Sequence, residues 1–232
     1  MPDFSQRSTL PEIMDDFSLQ HQEIDPVLKE LEVINKLLGG FSVFYDAFKR
    51  INLAKGDLIC DWGCGGGDSL TVLRKHFKKN NLDFNYLGLD ATKTTVEFAT
   101  QNHINYPEIT FKEVDVLKHQ FTENQYDVVI SSLFTHHFED NDWVELIKRM
   151  VFSAKKAVII NDLHRHPLAY YSIALLTQLF SKSPMVKHDS KVSVLRSFKK
   201  HELKKLLDLV GVKNYTIKWM WAFRWQVIIY KV

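Results

Sequence analysis

Short apolar runs alternate with longer segments of helical spacing along this chain. The runs have the length and composition of β-strands. They lie at 58–61, 84–90, 109–114, 126–132, 156–162, 215–221 and 225–230. Between the first five runs, apolar residues recur at the spacing of helices that bury one face. Strands that alternate with helices at this rhythm predict an α/β fold with a parallel, doubly wound sheet.

Residues 1–50 precede the first predicted strand. Asp25 followed by Pro26 predicts an N-cap and the first residue of a helix, and the glycines at 39–40 predict its end. Apolar residues over 41–51 predict a second helix. The two helices either cap a ligand cleft or pack on the edge of the sheet, and the pattern favours neither.

A long insertion, 164–200, follows the fifth predicted strand. Its apolar run over 168–180 is too short to span a bilayer, and it either lines a substrate tunnel or forms a core helix. A basic piece over 182–200 is predicted to be irregular. Further on, the aromatic residues at 219–225 alternate with a period of two, which indicates one face of a strand or an aromatic substrate wall.

Composition excludes several classes of protein. The 232 residues are 45% hydrophobic and 25% charged with a net charge of +2, which predicts one domain over 1–232 and no general field for polyanions. Cys60 and Cys64 are the only cysteines; we interpret them as packing residues rather than as a disulfide or a metal site. With no signal-peptide pattern and no spanning run, we expect a cytoplasmic protein without a membrane span.

The segment 58–68 carries the sharpest chemical signal. An apolar strand ends at Asp61, and four of the five residues at 63–67 are glycines before a helix begins. A dinucleotide fingerprint would place a glycine where Asp68 stands. A carboxylate two residues before Gly63 suits a ligand with a cationic amino acid end better than it suits a pyrophosphate. The alternative is a glycine-rich turn with no ligand.

Acids follow the next two strands. Asp90 ends the second strand, where it can accept both ribose hydroxyls of a nucleoside or else cap the following helix. Asp115 follows the third strand and is a weak signal by itself. A general base is expected among the histidines at 136, 137, 164, 166 and 188, because the pKa of histidine lies near neutrality. His136, just after the fourth strand, is the favoured candidate; the alternative is a structural histidine.

From about residue 40 onwards, these motifs resemble the class I S-adenosylmethionine (SAM)-dependent methyltransferases. The resemblance implies a Rossmann-like, doubly wound seven-stranded sheet whose last strand is antiparallel, with an N-terminal helical cap over 1–50 and a substrate-side insertion over 164–200. It implies SAM as the cofactor and no metal. The residues it assigns to the cofactor are Asp61, Gly63, Cys64, Gly65, Asp90, Ala91, Asp115, Val116 and Ser131.

Four shorter segments, 12–16, 34–36, 161–165 and 188–198, resemble bacterial methyltransferases that accompany type III polyketide synthases. That resemblance implies O-methylation of a small phenolic or polyketide-type acceptor. It makes His164, Arg165 and Tyr170 candidate substrate residues, and plant-type O-methyltransferases resemble the chain at His136, the candidate base.

Other functions remain as alternatives. The acceptor atom could be nitrogen or carbon, or the acceptor could be a protein or RNA. The fourth strand ends in Ser131-Ser132-Leu133-Phe134 rather than in the Pro-Pro-Tyr motif that clamps a flipped base, so no nucleic-acid partner is expected. A non-catalytic SAM-binding module is the third reading. The oligomeric state is not predicted.

Overall fold

The computed structural model describes residues 2–231; Met1 and Val232, the two ends of the predicted domain, lie outside the described residues. The strands are β1 (Leu58–Trp62), β2 (Asn85–Asp90), β3 (Ile109–Glu113), β4 (Tyr126–Ser132), β5 (Ala154–Leu163), β6 (Tyr215–Met220) and β7 (Arg224–Tyr230). The helices are α1 (His21–Leu37), α2 (Ser42–Phe48), α3 (Asp68–Lys79), α4 (Lys93–Asn102), α5 (Asp140–Ser153), α6 (Pro167–Phe180), α7 (Pro184–Arg196) and α8 (Lys200–Val210). Short 3-10 helices cover Ile13–Asp15 and Thr135–His137.

The strands form one sheet in the order β3-β2-β1-β4-β5-β7-β6. The first five strands are parallel, and β7 runs antiparallel to both of its neighbours. This confirms the predicted Rossmann-like, doubly wound seven-stranded sheet. The strand order reverses between β1 and β4, so the carboxyl ends of these two strands form the crevice in which such sheets bind ligands.

Helices cover both faces of the sheet. The face covered by α5 and α8 buries Trp143, Leu146 and Leu207 against β1, β4 and β5. On the other face, α2 and α3 bury Phe44 and Leu70 against the same strands. Because helices bury both faces of the sheet, the central strands carry apolar side chains on both sides. They therefore appear in the sequence as continuous apolar runs.

The first helix begins at His21, so the predicted start at Asp25 and Pro26 was wrong. Glu23 caps this earlier start, since its carboxylate accepts a hydrogen bond of 3.1 Å from the backbone N–H of Gln20. Pro26 therefore lies inside the helix. Of the two roles left open for 1–50, each helix takes one: α1 lines the ligand cavity and α2 packs on the sheet.

The insertion holds two helices. The piece predicted to be irregular contains α7, because Ser183 caps the N–H of Val186 at 3.3 Å and Pro184 occupies the first turn. Among residues 2–231, no helix has both the length and the apolarity that crossing a bilayer requires.

Candidate active site

A cavity of about 970 Å³ opens at the carboxyl ends of β1, β2 and β4. The glycine corner after β1 forms its floor. The N-terminal segment 12–19, α1, α6 and the β6–β7 turn form its other walls. The N-terminal segment and the insertion, which are far apart in sequence, thus both reach the crevice that the sheet topology creates.

The glycines of the corner are required by backbone shape. Gly63 and Gly65 have φ values of +68° and +50°, in the left-handed region that glycine adopts without strain. A Cβ on Gly63 would also lie 2.2 Å from the ring of Phe134. A Cβ on Gly65 would meet only Leu28, at 3.9 Å, so space beside this backbone is open to a ligand.

Asp61 is buried at the end of β1, and its Oδ1 has no hydrogen-bond partner in the described chain. Burial raises the pKa of this carboxyl well above its usual value, and the nearby Asp68 and Asp90 raise it further. All three acids line the cavity. An orphaned carboxylate among two other acids favours a cationic ligand group, which fits the ammonium of SAM.

Asp90 ties the end of β2 to the glycine corner. Its Oδ2 accepts a hydrogen bond of 3.0 Å from the N–H of Gly65, and its Oδ1 accepts one of 3.0 Å from the N–H of Thr92. Thr92 is the N-cap of α4, so the capping alternative holds in part. Each oxygen retains a second lone pair, and Asp90 lines the cavity, so a ribose contact stays a prediction.

The remaining predicted cofactor residues differ in placement. Ala91, Asp115 and Val116 line the cavity together with Cys64. Lys118, 2.7 Å from Asp115, lowers the pKa of that half-exposed carboxyl. Ser131, however, lies in the interior and donates to the carbonyl of Trp62 at 3.0 Å. Successive strand residues face opposite ways, and Ser132 is the one on the cavity wall.

His136 and Asp162 form a buried pair at the ends of β4 and β5. His136 Nδ1 lies 2.7 Å from Asp162 Oδ1, and the backbone N–H of His136 donates to Oδ2 at 3.0 Å. Asp162 also accepts from Thr135 Oγ1 at 2.7 Å and from the N–H of Leu163 at 2.8 Å. These bonds fix the ring and leave Nε2 as the free nitrogen on the cavity side.

A second carboxylate faces that free nitrogen. Glu12 Oε1 lies 3.4 Å from His136 Nε2, and neither atom has a hydrogen-bond partner in the described chain. Burial alone would lower the pKa of His136, but the carboxylates of Asp162 and Glu12 raise it to about 9. Burial raises the pKa of Asp162, but His136 more than offsets this and lowers it to about 2.

The N-terminal segment is held in place by α7. Asp189 accepts from the N–H groups of Ile13 and Met14 at 2.8 and 3.0 Å, and Ser193 donates to Glu12 Oε2 at 2.8 Å. Segments 12–16 and 188–198 belong to the predicted N-terminal cap and substrate-side insertion, but the sequence predicts no contact between them. Segment 12–16 is acidic, and only the fold shows that its Glu12 reaches His136.

Glu12, His136 and His137 are close enough to hold a metal ion, since one ligand atom from each lies within 4.8 Å of the others. The two histidines already have carboxylate partners, however. Asp15 Oδ1 lies 2.7 Å from His137 Nδ1, and Asp162 occupies Nδ1 of His136. Each of the three side chains thus has an oppositely charged neighbour, and we interpret the cluster as a network of ion pairs.

The three predicted substrate residues lie outside the cavity. His164 packs against the ring of Trp225 with centroids 4.8 Å apart, and burial lowers its pKa to about 4. Tyr170 packs edge-on against Phe4 at 5.7 Å. Arg165 is fully buried, pairs with Glu202 and donates to the carbonyl of Phe4 at 3.2 Å. The wall that α6 presents to the cavity instead consists of Ala169, Ser172, Ile173 and Leu176.

Arg165→Met is expected to destabilise the fold without changing acceptor recognition. The substitution leaves Glu202 Oε1 and several backbone carbonyls without their Arg165 partner, which costs about 3–5 kcal/mol for a broken buried pair. Thermal unfolding measures the loss, and Arg149→Met, at an exposed ion pair with Glu145, is the control with an effect of about 0–1 kcal/mol. A changed acceptor KM at unchanged stability would contradict this assignment.

The alternating aromatic residues at 219–225 divide between the strands and the cavity wall. Trp225 is buried in β7, opposite Trp219 on β6. Trp221 and Phe223 lie in the turn between these strands and line the cavity. The strand-face interpretation therefore applies to Trp225, and the wall interpretation applies to the two turn residues.

Comparison with known proteins supports this description of the fold. Residues 59–156 match the protein family described as a methyltransferase domain. No curated protein matches the sequence. The chain is similar to a SAM-dependent methyltransferase from Aquifex aeolicus, with 16% identity, a TM-score of 0.63, and 89% of this chain and 98% of that one covered.

Two further structures share the fold. Magnesium protoporphyrin IX methyltransferase from Synechocystis, with bound SAM, is 16% identical over 99% of this chain and 88% of its own, with a TM-score of 0.50. A Methanococcus maripaludis protein, itself provisionally assigned to the SAM-dependent methyltransferases, is 17% identical over 96% of this chain and 97% of its own, with a TM-score of 0.65. The matched domain covers β1 to the start of β5, the part of the sheet that carries Asp61, the glycines and Asp90. Residues 59–156 thus form a methyltransferase domain, and this domain together with the shared fold supports a SAM-dependent methyltransferase with S-adenosyl-L-methionine as its cofactor.

Proposed function

We propose that this enzyme methylates the hydroxyl oxygen of a small phenolic or polyketide-type acceptor, with His136 as the general base. One observation carries the proposal: Asp162 fixes Nδ1 of a histidine that lines the cavity, and the group that faces its Nε2 is the Glu12 carboxylate, 3.4 Å away. A hydroxyl must lose its proton as its oxygen attacks a methyl group, and a histidine beside the cavity can take that proton.

The residues divide the work between cofactor and acceptor. In this proposal, Asp61 holds the cofactor ammonium. The open backbone at Gly65 and the carboxylate of Asp90 contact the rest of the amino acid chain and the nucleoside. When bound, SAM supplies an electrophilic methyl group and leaves as a neutral thioether. His136 Nε2 accepts the hydroxyl proton, and Asp162 stabilises the resulting imidazolium through Nδ1–H.

The raised pKa of His136 suits a phenol. A phenol has a pKa of about 10, so a base with a pKa of about 9 is closely matched to the proton it must take. The same pKa keeps most of the histidine protonated at neutral pH. The enzyme should therefore gain activity as the pH rises towards 9.

The cavity wall supports an apolar acceptor. Leu38, Ile173, Leu176 and Phe223 face the cavity from three different elements. Aliphatic and aromatic walls around a few polar groups are typical of sites that bury most of a small ligand. They favour a small aromatic molecule over a nucleic acid or a protein side chain as the acceptor.

The test combines product mass with pH dependence. With SAM and a panel of phenols, we expect a product heavier by one methylene unit, on oxygen, and a kcat/KM that rises with pH and levels off above about 9. Glu12→Gln removes the carboxylate 3.4 Å from Nε2, so the midpoint of the profile should move to lower pH. Glu145→Gln, the same change at an exposed residue of α5, is the control and should leave the midpoint in place.

Two results would count against the proposal. Methylation confined to nitrogen or carbon would exclude the acceptor class. A profile that Glu12→Gln and Glu145→Gln leave equally unchanged would exclude His136 as the titrating base.

A further inference from the structure

Helix α6 presents its apolar side chains to water. Its fourteen residues, Pro167–Phe180, include no charged side chain. Ala169 and Thr177 are buried, whereas the large apolar residues point outwards. The exposed ones, with the exposed fraction of each, are Leu168 (61%), Tyr171 (55%), Leu175 (60%), Leu176 (37%), Leu179 (65%) and Phe180 (79%). A surface helix normally has the opposite arrangement, and exposed apolar patches of this kind mark interaction sites.

Two neighbouring elements extend this surface. On α1, Val33 and Leu37 are exposed and share a helical stripe with Glu30, which accepts from the backbone N–H of Lys182 at 3.2 Å, just past the end of α6. Trp219, near the end of β6, and Trp221, in the β6–β7 turn, are exposed. We call the exposed apolar side chains of α1, α6 and this turn the apolar rim.

The apolar rim is continuous with the active-site cavity. Leu176 and Trp221 are both exposed to solvent and part of the cavity wall. All three elements of the rim also contribute other apolar residues to that wall, among them Ile34, Ile173 and Phe223. A molecule that enters across the rim therefore stays in contact with apolar side chains along its whole path.

We propose that the apolar rim docks on a lipid bilayer and that the methyl acceptor is an amphiphile drawn from that bilayer. Aromatic residues such as Trp219 and Trp221 favour the interface between lipid and water. Exposed lysines at 36 and 182 flank the rim and can reach anionic headgroups. A bilayer leaves a route from its apolar layer into the cavity, whereas a second copy of the chain on the same surface would cover the entrance. Docking itself does not depend on the proposed function; the identity of the acceptor does.

Vesicle binding tests the docking. We expect the protein to co-sediment with vesicles of phosphatidylcholine and phosphatidylglycerol, and the double variant Leu175→Glu/Leu179→Glu to lose about tenfold or more in affinity. Both leucines lie outside the cavity wall. Leu209→Glu is the matched control, because Leu209 on α8 is 59% exposed and Leu175 is 60% exposed. Equal SAM affinity in all variants shows that the fold is intact.

Three outcomes would overturn the docking. The first is that the wild-type protein does not bind vesicles. The second is that Leu209→Glu loses as much vesicle affinity as the double variant. The third is that light scattering shows a dimer for the wild type and Leu209→Glu but a monomer for the double variant. The last would assign the rim to a second copy of the chain.

The acceptor has a separate readout. Turnover of a long-chain phenol presented in vesicles should fall in the double variant, while turnover of a short, water-soluble phenol should not. If the protein bound vesicles but methylated neither phenol, the proposed function would be wrong and the proposed docking would still stand. Equal turnover of the vesicle-borne phenol by wild type and double variant would exclude the bilayer as its source.

Discussion

Asp162→Asn is expected to lower kcat by about 10²–10⁴ while leaving SAM affinity nearly unchanged. The carboxylate accepts from Nδ1–H of His136, which keeps Nε2 free to take a proton. An amide at 162 can donate to Nδ1 instead, and the neutral ring then carries its proton on Nε2 and cannot act as a base. The amide also withdraws the charge that stabilises the imidazolium.

A second variant separates catalysis from folding, because Asp162 also accepts from Thr135 and from Leu163. His136→Gln keeps Asp162 in place and should lower kcat to a similar degree. The loss should shrink for phenols of low pKa, such as nitrophenols, which are already ionised and need no base. His201→Gln, at an exposed histidine of α8, is the control.

An equal loss with nitrophenols and with ordinary phenols would assign His136 a structural role. So would a loss of SAM affinity that parallels the loss of turnover. In either case the His136–Asp162 pair would stabilise the walls of the cavity and would not take part in proton transfer.

The cofactor half of the site could be predicted because its signals are local. Asp61, Gly63 and Gly65 lie within one strand–turn corner, where backbone sterics dictate residue type at fixed spacing. The positions of the parallel strands followed from the same kind of local pattern, since buried parallel strands appear as apolar runs. On β4, the residue predicted to line the cofactor site was Ser131, whereas the residue that lines the cavity is its neighbour Ser132.

The acceptor half could not be predicted because it is made by contacts between distant segments. Glu12 reaches His136 only because Asp189 and Ser193 of α7 hold its turn. Likewise, α6 is apolar on its solvent side, so hydrophobic periodicity could not say which side meets the cavity. Arg165, which the resemblance implied at the site, instead lies in the core, where Glu202 and the backbone of the N-terminal segment surround it.

Asp61→Asn is expected to weaken SAM binding and at the same time to stabilise the unliganded protein. The lost charge-assisted contact is worth about 1.5–3 kcal/mol, which lowers affinity about 10–100-fold. In the unliganded state, however, Asp61 is a buried carboxyl whose Oδ1 lacks a partner and which faces two more acids. An amide carries no charge into this environment, and each kcal/mol gained raises Tm by about 2–4 °C.

The pH dependence of the melting temperature tests independently whether Asp61→Asn stabilises the unliganded protein. A carboxyl whose folded pKa is raised contributes stability below its unfolded pKa, and that stability is lost as the pH rises through the folded pKa. The gain from Asp61→Asn should therefore be absent in acid and grow towards neutral pH in thermal melts without SAM. Asp57→Asn is the matched control: this buried acid pairs with Lys156 outside the cavity, so its amide should lower Tm and leave SAM affinity unchanged.

Calorimetry at several pH values completes the argument. A cationic ligand group beside Asp61 favours the ionised carboxylate, so SAM binding to the wild type should release protons and tighten as the pH rises through the raised pKa. Asp61→Asn should remove both the proton release and this pH dependence. If the variant instead bound SAM as tightly as the wild type, the ammonium would lie elsewhere in the cavity, and the buried acid at the end of β1 would need another explanation.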